Sequence, residues 1–148
     1  MSGKTFTLAL ILAGFVAVPL AVAVSQEGTT DEEIAEASLT PADIPEGARE
    51  RPNPYARDPK SIEQGKLVFS SQCVMCHGAD GRGTGDLVER LKLDIPDFTD
   101  AAWQKEWTDG GFFYVVDNGH GHMPGQQGRF EDDLKWHLVN YVRTFARR

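Results

Sequence analysis

The feature that most constrains the fold of this chain is the five-residue stretch Cys73-Val74-Met75-Cys76-His77. Its two cysteines are the only two in 148 residues, they stand three positions apart, and a histidine directly follows the second. With no third cysteine available, the two thiols either bond to each other or act together on a bound group. The fold must therefore present one short turn of chain that carries two sulfurs and an imidazole.

The sequence before this stretch predicts a helix that leads into it. Asp58 is a strong N-cap candidate, and Pro59 suits the first helical position. Because Gly65 costs helix stability, its presence predicts that another backbone approaches closely at that position. The residues that recur every three or four positions along one face are Ile62, Gly65, Phe69 and Cys73.

Further helices are predicted towards the C-terminus. Thr99 is a candidate cap for a short helix carrying Trp103 and Trp107, and Thr108 for a helix that ends at Gly119. The last segment begins with acidic residues and ends with arginines, which suits the helix dipole. Its apolar face consists of Leu134, Leu138, Tyr141, Val142 and Phe145. Residues 78–86 and 119–130 are glycine-rich loops, and no strand pattern persists, so residues 58–148 are predicted to form one all-α domain.

Short helices joined by glycine-rich loops bury little apolar surface, so this domain needs a bound group at its centre. The spacing C-x-x-C-H is the attachment motif of c-type haem. In this interpretation Cys73 and Cys76 form two thioether bonds to one haem edge, and His77 binds the iron from the proximal side. Three other uses stay open: a thioredoxin-like redox pair, a disulfide, and a zinc site completed by two of His77, His120 and His122.

The first 57 residues are predicted to lie outside this domain. Residues 6–24 are uncharged and apolar and end near Ala21-Val22-Ala23, so residues 1–24 indicate export as a signal peptide or an N-terminal membrane anchor. Membrane contact would run through residues 5–24. Residues 25–57 are predicted to form an acidic, proline-containing linker that is too poor in apolar groups to order itself, and so to be a tether or a loose wrap over the domain. The net charge of −7 and the lack of a basic stripe exclude nucleic acid as an expected partner.

Several stretches resemble the class I c-type cytochrome family, in its bacterial monohaem form. Gly65-x3-Phe69-x3-Cys73 is similar to the family's first helix, and Leu138-x2-Tyr141 to the matching face of its last helix. The glycine-rich loop after His77 and the stretch IPDFT fit as well. Where this chain has Asp86, the family often has a proline at the point where a carbonyl binds the proximal imidazole. The resemblance implies a cytochrome c fold: three to four helices with long loops around one covalently bound haem c.

The resemblance also implies the second axial ligand of the iron. It places a methionine just before a proline and the last helix, and Met123, followed by Pro124, fits that place. The neighbouring His120 and His122 stay open as competing ligands. The candidate walls of the haem pocket are Phe69, Phe98, Trp103, Phe112, Val116, Trp136 and Tyr141.

An iron bound by both His77 and Met123 has no open position for a substrate, and no catalytic residue set is discernible. The expected function is therefore that of a one-electron carrier rather than an enzyme, in a respiratory or other periplasmic chain. Expected partners are a terminal oxidase, a quinol-oxidising complex or a dehydrogenase, at the periplasm or the extracytoplasmic face of the inner membrane. Two alternatives stay open: a cytochrome subunit fixed in a membrane oxidoreductase complex, and a haem sensor or peroxidase-like protein in which Met123 leaves the iron open.

Overall fold

A computed structural model describes residues 38–146 of the chain. The predicted signal peptide or anchor at residues 1–24 and the first part of the predicted linker, residues 25–37, lie outside the described residues. Among the helices of residues 38–146, none has both the length and the hydropathy needed to cross a bilayer.

The described part of the chain is mostly helical, as the sequence predicts. A 3-10 helix at Pro41–Asp43 is followed by α1 (Glu46–Arg49), α2 (Pro59–Gln72), α3 (Val74–His77), α4 (Asp86–Leu91), α5 (Ala101–Glu106), α6 (Asp109–Asn118) and α7 (Asp132–Arg143). Only α2, α6 and α7 have ten or more residues, which matches the expected three to four helices. Within the stretch predicted as loop, β1 (Gly119–His120) and β2 (Met123–Pro124) form a two-residue antiparallel hairpin.

Two of the predicted helix starts are confirmed, and a third is shifted by one residue. The side chain of Asp58 accepts a hydrogen bond from the Lys60 amide at 3.0 Å, and that of Thr108 from the Gly111 amide at 3.0 Å. Helix α5 is capped by Asp100 instead of Thr99. The Asp100 carboxylate accepts from two amides, at 2.8 and 3.1 Å, which satisfies more of the free donors at a helix start than one hydroxyl can.

Helices α2 and α7 cross at Gly65. A Cβ atom on Gly65 would overlap the main-chain carbonyl oxygen of His137 and would lie 2.9 Å from Tyr141 Cβ. The predicted close approach of a second backbone is thus confirmed. One turn earlier, Ser61 is 1% exposed, and its Oγ accepts a hydrogen bond from Asn140 Nδ2 at 2.7 Å. The crossing is therefore held by a buried polar contact as well as by close packing.

The core extends further round α7 than the predicted apolar face. Leu138 and Val142 are buried as predicted, but Trp136 and Val139 are buried too. The reason is that α7 packs against both α2 and α6, so that two of its sides face protein. The buried apolar residues are Ile44, Phe69, Phe98, Trp107, Phe112, Phe113, Trp136, Leu138, Val139 and Val142.

Residues 38–57, predicted as part of the linker, are ordered and pack on the domain. Ile44 is 2% exposed and belongs to the core. The Arg49 carbonyl accepts a hydrogen bond from Thr108 Oγ1 at 2.7 Å, and the Arg51 guanidinium lies 4.2 Å from the centre of the Phe113 ring. One isoleucine and specific contacts to α6 are enough to order this segment. Average composition does not reveal such contacts.

Candidate haem-binding site

The site begins where α2 ends and the chain makes one further helical turn. Cys73 closes α2, and α3 follows at once, with the Cys73 carbonyl accepting hydrogen bonds from the Cys76 amide at 3.3 Å and the His77 amide at 3.0 Å. Both thiols are free and partly buried. The turn therefore brings two sulfurs and one imidazole into a single compact unit, as the sequence predicts.

The glycine-rich loop after His77 folds back over this turn. The Gly83 amide donates to the His77 carbonyl at 2.9 Å, and the Gly85 amide donates to the Cys76 carbonyl at 3.0 Å. The glycines are needed at these points. Gly83, for example, has a φ of +71°, and a Cβ there would lie 2.5 Å from the Ile95 carbonyl oxygen. The loop fixes the last two residues of the attachment turn through their carbonyls.

Burial keeps His77 and Cys73 neutral at neutral pH. It lowers the pKa of His77 to about 4, so the imidazole is uncharged at neutral pH and has a lone pair for a metal. Burial, with a smaller contribution from Cys76, raises the pKa of the Cys73 thiol to about 11. A redox-active cysteine needs the opposite shift, because the thiolate is the reactive form. The raised pKa therefore disfavours the thioredoxin-like interpretation.

The zinc interpretation also lacks support in the described part of the chain. No group of three or more histidine, cysteine, aspartate or glutamate side chains in residues 38–146 is placed to hold a metal ion. A structural zinc site requires four such ligands, with the cysteines as thiolates.

Haem fits the donors that the turn presents. His77 Nδ1 is buried without a hydrogen-bond partner. No carbonyl near Asp86 therefore accepts from this imidazole in the way that the family often has at its proline. The Trp107 indole nitrogen is likewise buried and unpartnered. Buried polar groups normally have partners, so these two unpartnered nitrogens are compatible with a further bound group. A haem would supply an iron for the other ring nitrogen of His77, Nε2, and carboxylates that can accept hydrogen bonds from buried N–H groups.

Aromatic rings surround His77. The Phe98 ring stacks on the imidazole with centroids 4.8 Å apart, and the Phe69 ring lies 6.2 Å away. Trp103 is next to Phe98, at 6.0 Å. Trp136, which the sequence proposed as a pocket wall, instead packs on Phe113 at 4.3 Å, between α6 and α7. Of the seven proposed walls, Phe69 and Phe98 thus have rings next to that of His77.

Met123 lies on the hairpin that follows α6. In its register Gly119 pairs with Pro124 and His120 pairs with Met123, which leaves Gly121 and His122 as the exposed two-residue turn. Side chains of directly paired residues lie on the same face of a ladder. His120 therefore shares a face with Met123, whereas His122 is at the tip. The sequence alone left the two histidines equal, because it did not reveal the hairpin.

Known proteins support the same family. The sequence model described as cytochrome C oxidase, cbb3-type, subunit III, matches residues 60–142. The cbb3-type cytochrome c oxidase subunit FixPc of Rhizobium leguminosarum bv. viciae is 34% identical over 90 residues, which are 60% of this chain and 29% of that protein. The chain thus spans less than a third of the length of this relative. Cytochrome c6 of Chlorolobion braunii is 35% identical over 84 residues, which are 53% of this chain and 83% of that protein.

Solved structures agree on the fold. The KustC0563 c-type cytochrome superposes with a TM-score of 0.50 at 30% identity, over 56% of this chain and 98% of that one. A chain of the Kuenenia stuttgartiensis reducing HAO-like complex Kustc0457/Kustc0458 superposes with a TM-score of 0.52. At 22% identity, over 60% of this chain and 45% of that one, the second likeness bears on the fold alone.

Membership of the cytochrome c family implies covalently bound haem c. The chain belongs to the cytochrome c family, in the group of cytochrome c oxidase, cbb3-type, subunit III.

Proposed function

We propose that this protein is an exported one-electron carrier with a single haem c. Cys73 and Cys76 would attach the haem through two thioethers, and His77 and Met123 would be the axial ligands of its iron. The bound haem supplies a ferric–ferrous couple. The observation that supports this function best is the attachment turn, in which two free thiols and a neutral, buried histidine come together within five residues.

The chain's own residues determine how such a haem would work. The hydrogen bonds to the Cys76 and His77 carbonyls hold the turn rigid, and the rings of Phe69 and Phe98 fix the plane of the imidazole. A fixed proximal ligand keeps the reorganisation of the site small between the two oxidation states. As a soft thioether ligand, Met123 would raise the reduction potential relative to a second histidine. With His77 and Met123 both bound, the iron would have no open position for a substrate.

The proposed setting is the periplasm or the extracytoplasmic face of the inner membrane, with residues 1–24 directing export or anchoring the protein. Proposed partners are a terminal oxidase, a quinol-oxidising complex or a dehydrogenase. A second candidate function is that of a fixed subunit in a membrane oxidoreductase. The similarity to FixPc, and to the CcoP oxidase subunit of Rubrivivax gelatinosus, favours it. Extraction in mild detergent separates the two candidates, because a fixed subunit co-purifies with its complex and a carrier does not.

A redox titration of the haem-loaded protein, followed by optical spectra, tests the proposed carrier. We expect one reversible one-electron step, low-spin spectra in both oxidation states, and haem that stays on the chain after acid-acetone extraction. Mass spectrometry should show an increase of one haem. Haem that is freely extracted, or one zinc per chain, would contradict the proposal.

A further inference from the structure

The segment that carries Met123 runs directly along the end of α6. Gly119 has a φ of +76°, and a Cβ there would overlap the Met123 carbonyl oxygen and lie 2.5 Å from the Gly125 nitrogen. A Cβ on Gly125 would lie 2.6 Å from the Asn118 carbonyl oxygen. No side chain fits between these main-chain stretches, so the position of Met123 depends on how its segment is fastened to α6.

Gln126 fastens this segment at two points. Its main-chain amide donates to the Val116 carbonyl of α6 at 2.9 Å. Its side-chain Nε2 donates to the carbonyl of Pro124, the residue after Met123, at 2.8 Å. Because a carbonyl oxygen only accepts hydrogen bonds, the amide must present its nitrogen to Pro124. The orientation of the Gln126 side chain is thereby fixed.

The side-chain amide of Gln126 has one identified partner. Within the described residues, Nε2 donates to the Pro124 carbonyl, and Oε1 is buried and has no hydrogen-bond partner. The bond to Pro124 is thus the contact through which this side chain acts on the Met123 segment.

The end of α6 is itself held in place from α7. Asp117, next to the last residue of α6, accepts a hydrogen bond from Lys135 Nζ at 2.5 Å. Lys135 is 3% exposed and also binds Asp132 at 3.1 Å. A buried charge pair of this kind fixes one arrangement of the two helices. Gln126 therefore ties the Met123 segment to a rigid support.

We propose that Gln126 is a positioning residue for Met123, holding the thioether at the iron through the hydrogen bond to the Pro124 carbonyl. This inference rests on the proposed function, because it requires Met123 as an axial ligand. Without the bond, Pro124 loses its link to Gln126, whose main-chain amide is anchored to α6, and the fraction of protein with an open iron rises.

The test compares Gln126→Leu with Gln127→Leu in the full-length, haem-loaded protein. Both substitutions have the same chemistry, but the Gln127 side chain is exposed, and its main-chain bond to Asp117 is unaffected by the change. We expect Gln126→Leu to keep its haem, weaken the near-infrared thioether-to-iron band, and speed carbon monoxide binding to ferrous iron by about fivefold, as for the loss of one typical hydrogen bond. Gln127→Leu should match the wild type.

Gln126→Glu provides a second variant in case the leucine disturbs folding. It keeps the shape of the side chain, but its carboxylate cannot donate to the Pro124 carbonyl, so the same spectral and kinetic changes are expected. Equal behaviour of the Gln126 and Gln127 variants would overturn the inference while leaving the carrier proposal intact. If Met123→Ala changes neither spectrum nor carbon monoxide binding, the axial ligation by Met123 fails instead, and the two failures are thereby distinguished.

Discussion

At the scale of single residues, His77 is held by rings rather than by a hydrogen bond. Metal-bound histidines usually donate their second N–H to a nearby acceptor, which raises the basicity of the ligand. Here Nδ1 has no partner, and the stacked Phe98 ring supplies the orientation. As the proposed iron ligand, a less basic imidazole would donate less charge to iron and favour the ferrous state. We therefore expect a higher reduction potential for this protein, which has Asp86 where the family often has a proline, than for relatives in which a carbonyl accepts from the imidazole.

The proposed role of Met123 as an iron ligand is tested by Met123→Ala. Removing the thioether should abolish the near-infrared band and either open the iron to carbon monoxide or give the site to a histidine. Replacement by a histidine should lower the reduction potential by on the order of a hundred millivolts, because the harder donor favours ferric iron. Since His120 pairs with Met123 on the hairpin, we expect His120 to be the replacement.

The double variants Met123→Ala/His120→Ala and Met123→Ala/His122→Ala separate the two histidines. If His120 is the replacement, only the first double variant should have an open iron that binds carbon monoxide rapidly. A wild type that already binds carbon monoxide rapidly, with a potential insensitive to Met123→Ala, would favour the sensor or peroxidase-like alternative.

At the scale of elements, the crossing of α2 and α7 determines where the attachment turn stands. The buried Phe69 lies one helical turn after Gly65 on α2, with its ring 5.3 Å from that of Tyr141 on α7. Cys73 lies one further turn along. The close approach at Gly65 thus sets the distance between α7 and the residues that lead to the haem attachment site.

Gly65→Ala tests this crossing with the smallest possible side chain. The new methyl group would meet the His137 carbonyl, so we expect destabilisation by at least about 2 kcal/mol through overpacking, despite the higher helix propensity of alanine. Gly47→Ala is the matched control, because Gly47 is also helical and nothing lies within 4 Å of its Cβ position. Thermal unfolding of both variants provides the measurement. Equal melting temperatures would show that the crossing tolerates a side chain.

At the scale of the whole molecule, the buried core is small for a domain in which long loops join short helices. Among residues 38–146 the buried apolar core has ten members, and much of it consists of aromatic rings around His77 and along α5 to α7. The helices other than α2, α6 and α7 have six residues or fewer. Helices this short are unstable alone and depend on tertiary packing. A covalently bound haem would add the apolar contacts that such a fold lacks.

The variant Cys73→Ala/Cys76→Ala tests this dependence. Because a group that binds only the folded state stabilises it, loss of attachment should lower both haem content and stability. We expect the purified variant to lack haem and to show no cooperative thermal unfolding by circular dichroism. Single replacements, each of which keeps one thioether, serve as intermediate controls. A haem-free variant that unfolds cooperatively near the wild-type temperature would mean that the protein core suffices.

The sequence by itself determined the features that depend on local chemistry. The spacing of two thiols and a histidine predicted one short turn that carries all three side chains, and the caps at Asp58 and Thr108 predicted two helix starts, because each involves only neighbouring residues. Gly65 also predicted the close approach of a second backbone, since a glycine inside a helix lowers the stability of that helix.

Tertiary structure alone decided what depends on distant partners. It ordered residues 38–57 through contacts to α6, buried a second side of α7, and paired His120 with Met123. It also left the Nδ1 atom of His77 without an acceptor. In each case the deciding contact joins residues far apart in the chain, or residues whose backbone path is set by packing. Spacing and composition carry no record of such contacts, because they describe the order of side chains and not their neighbours in space.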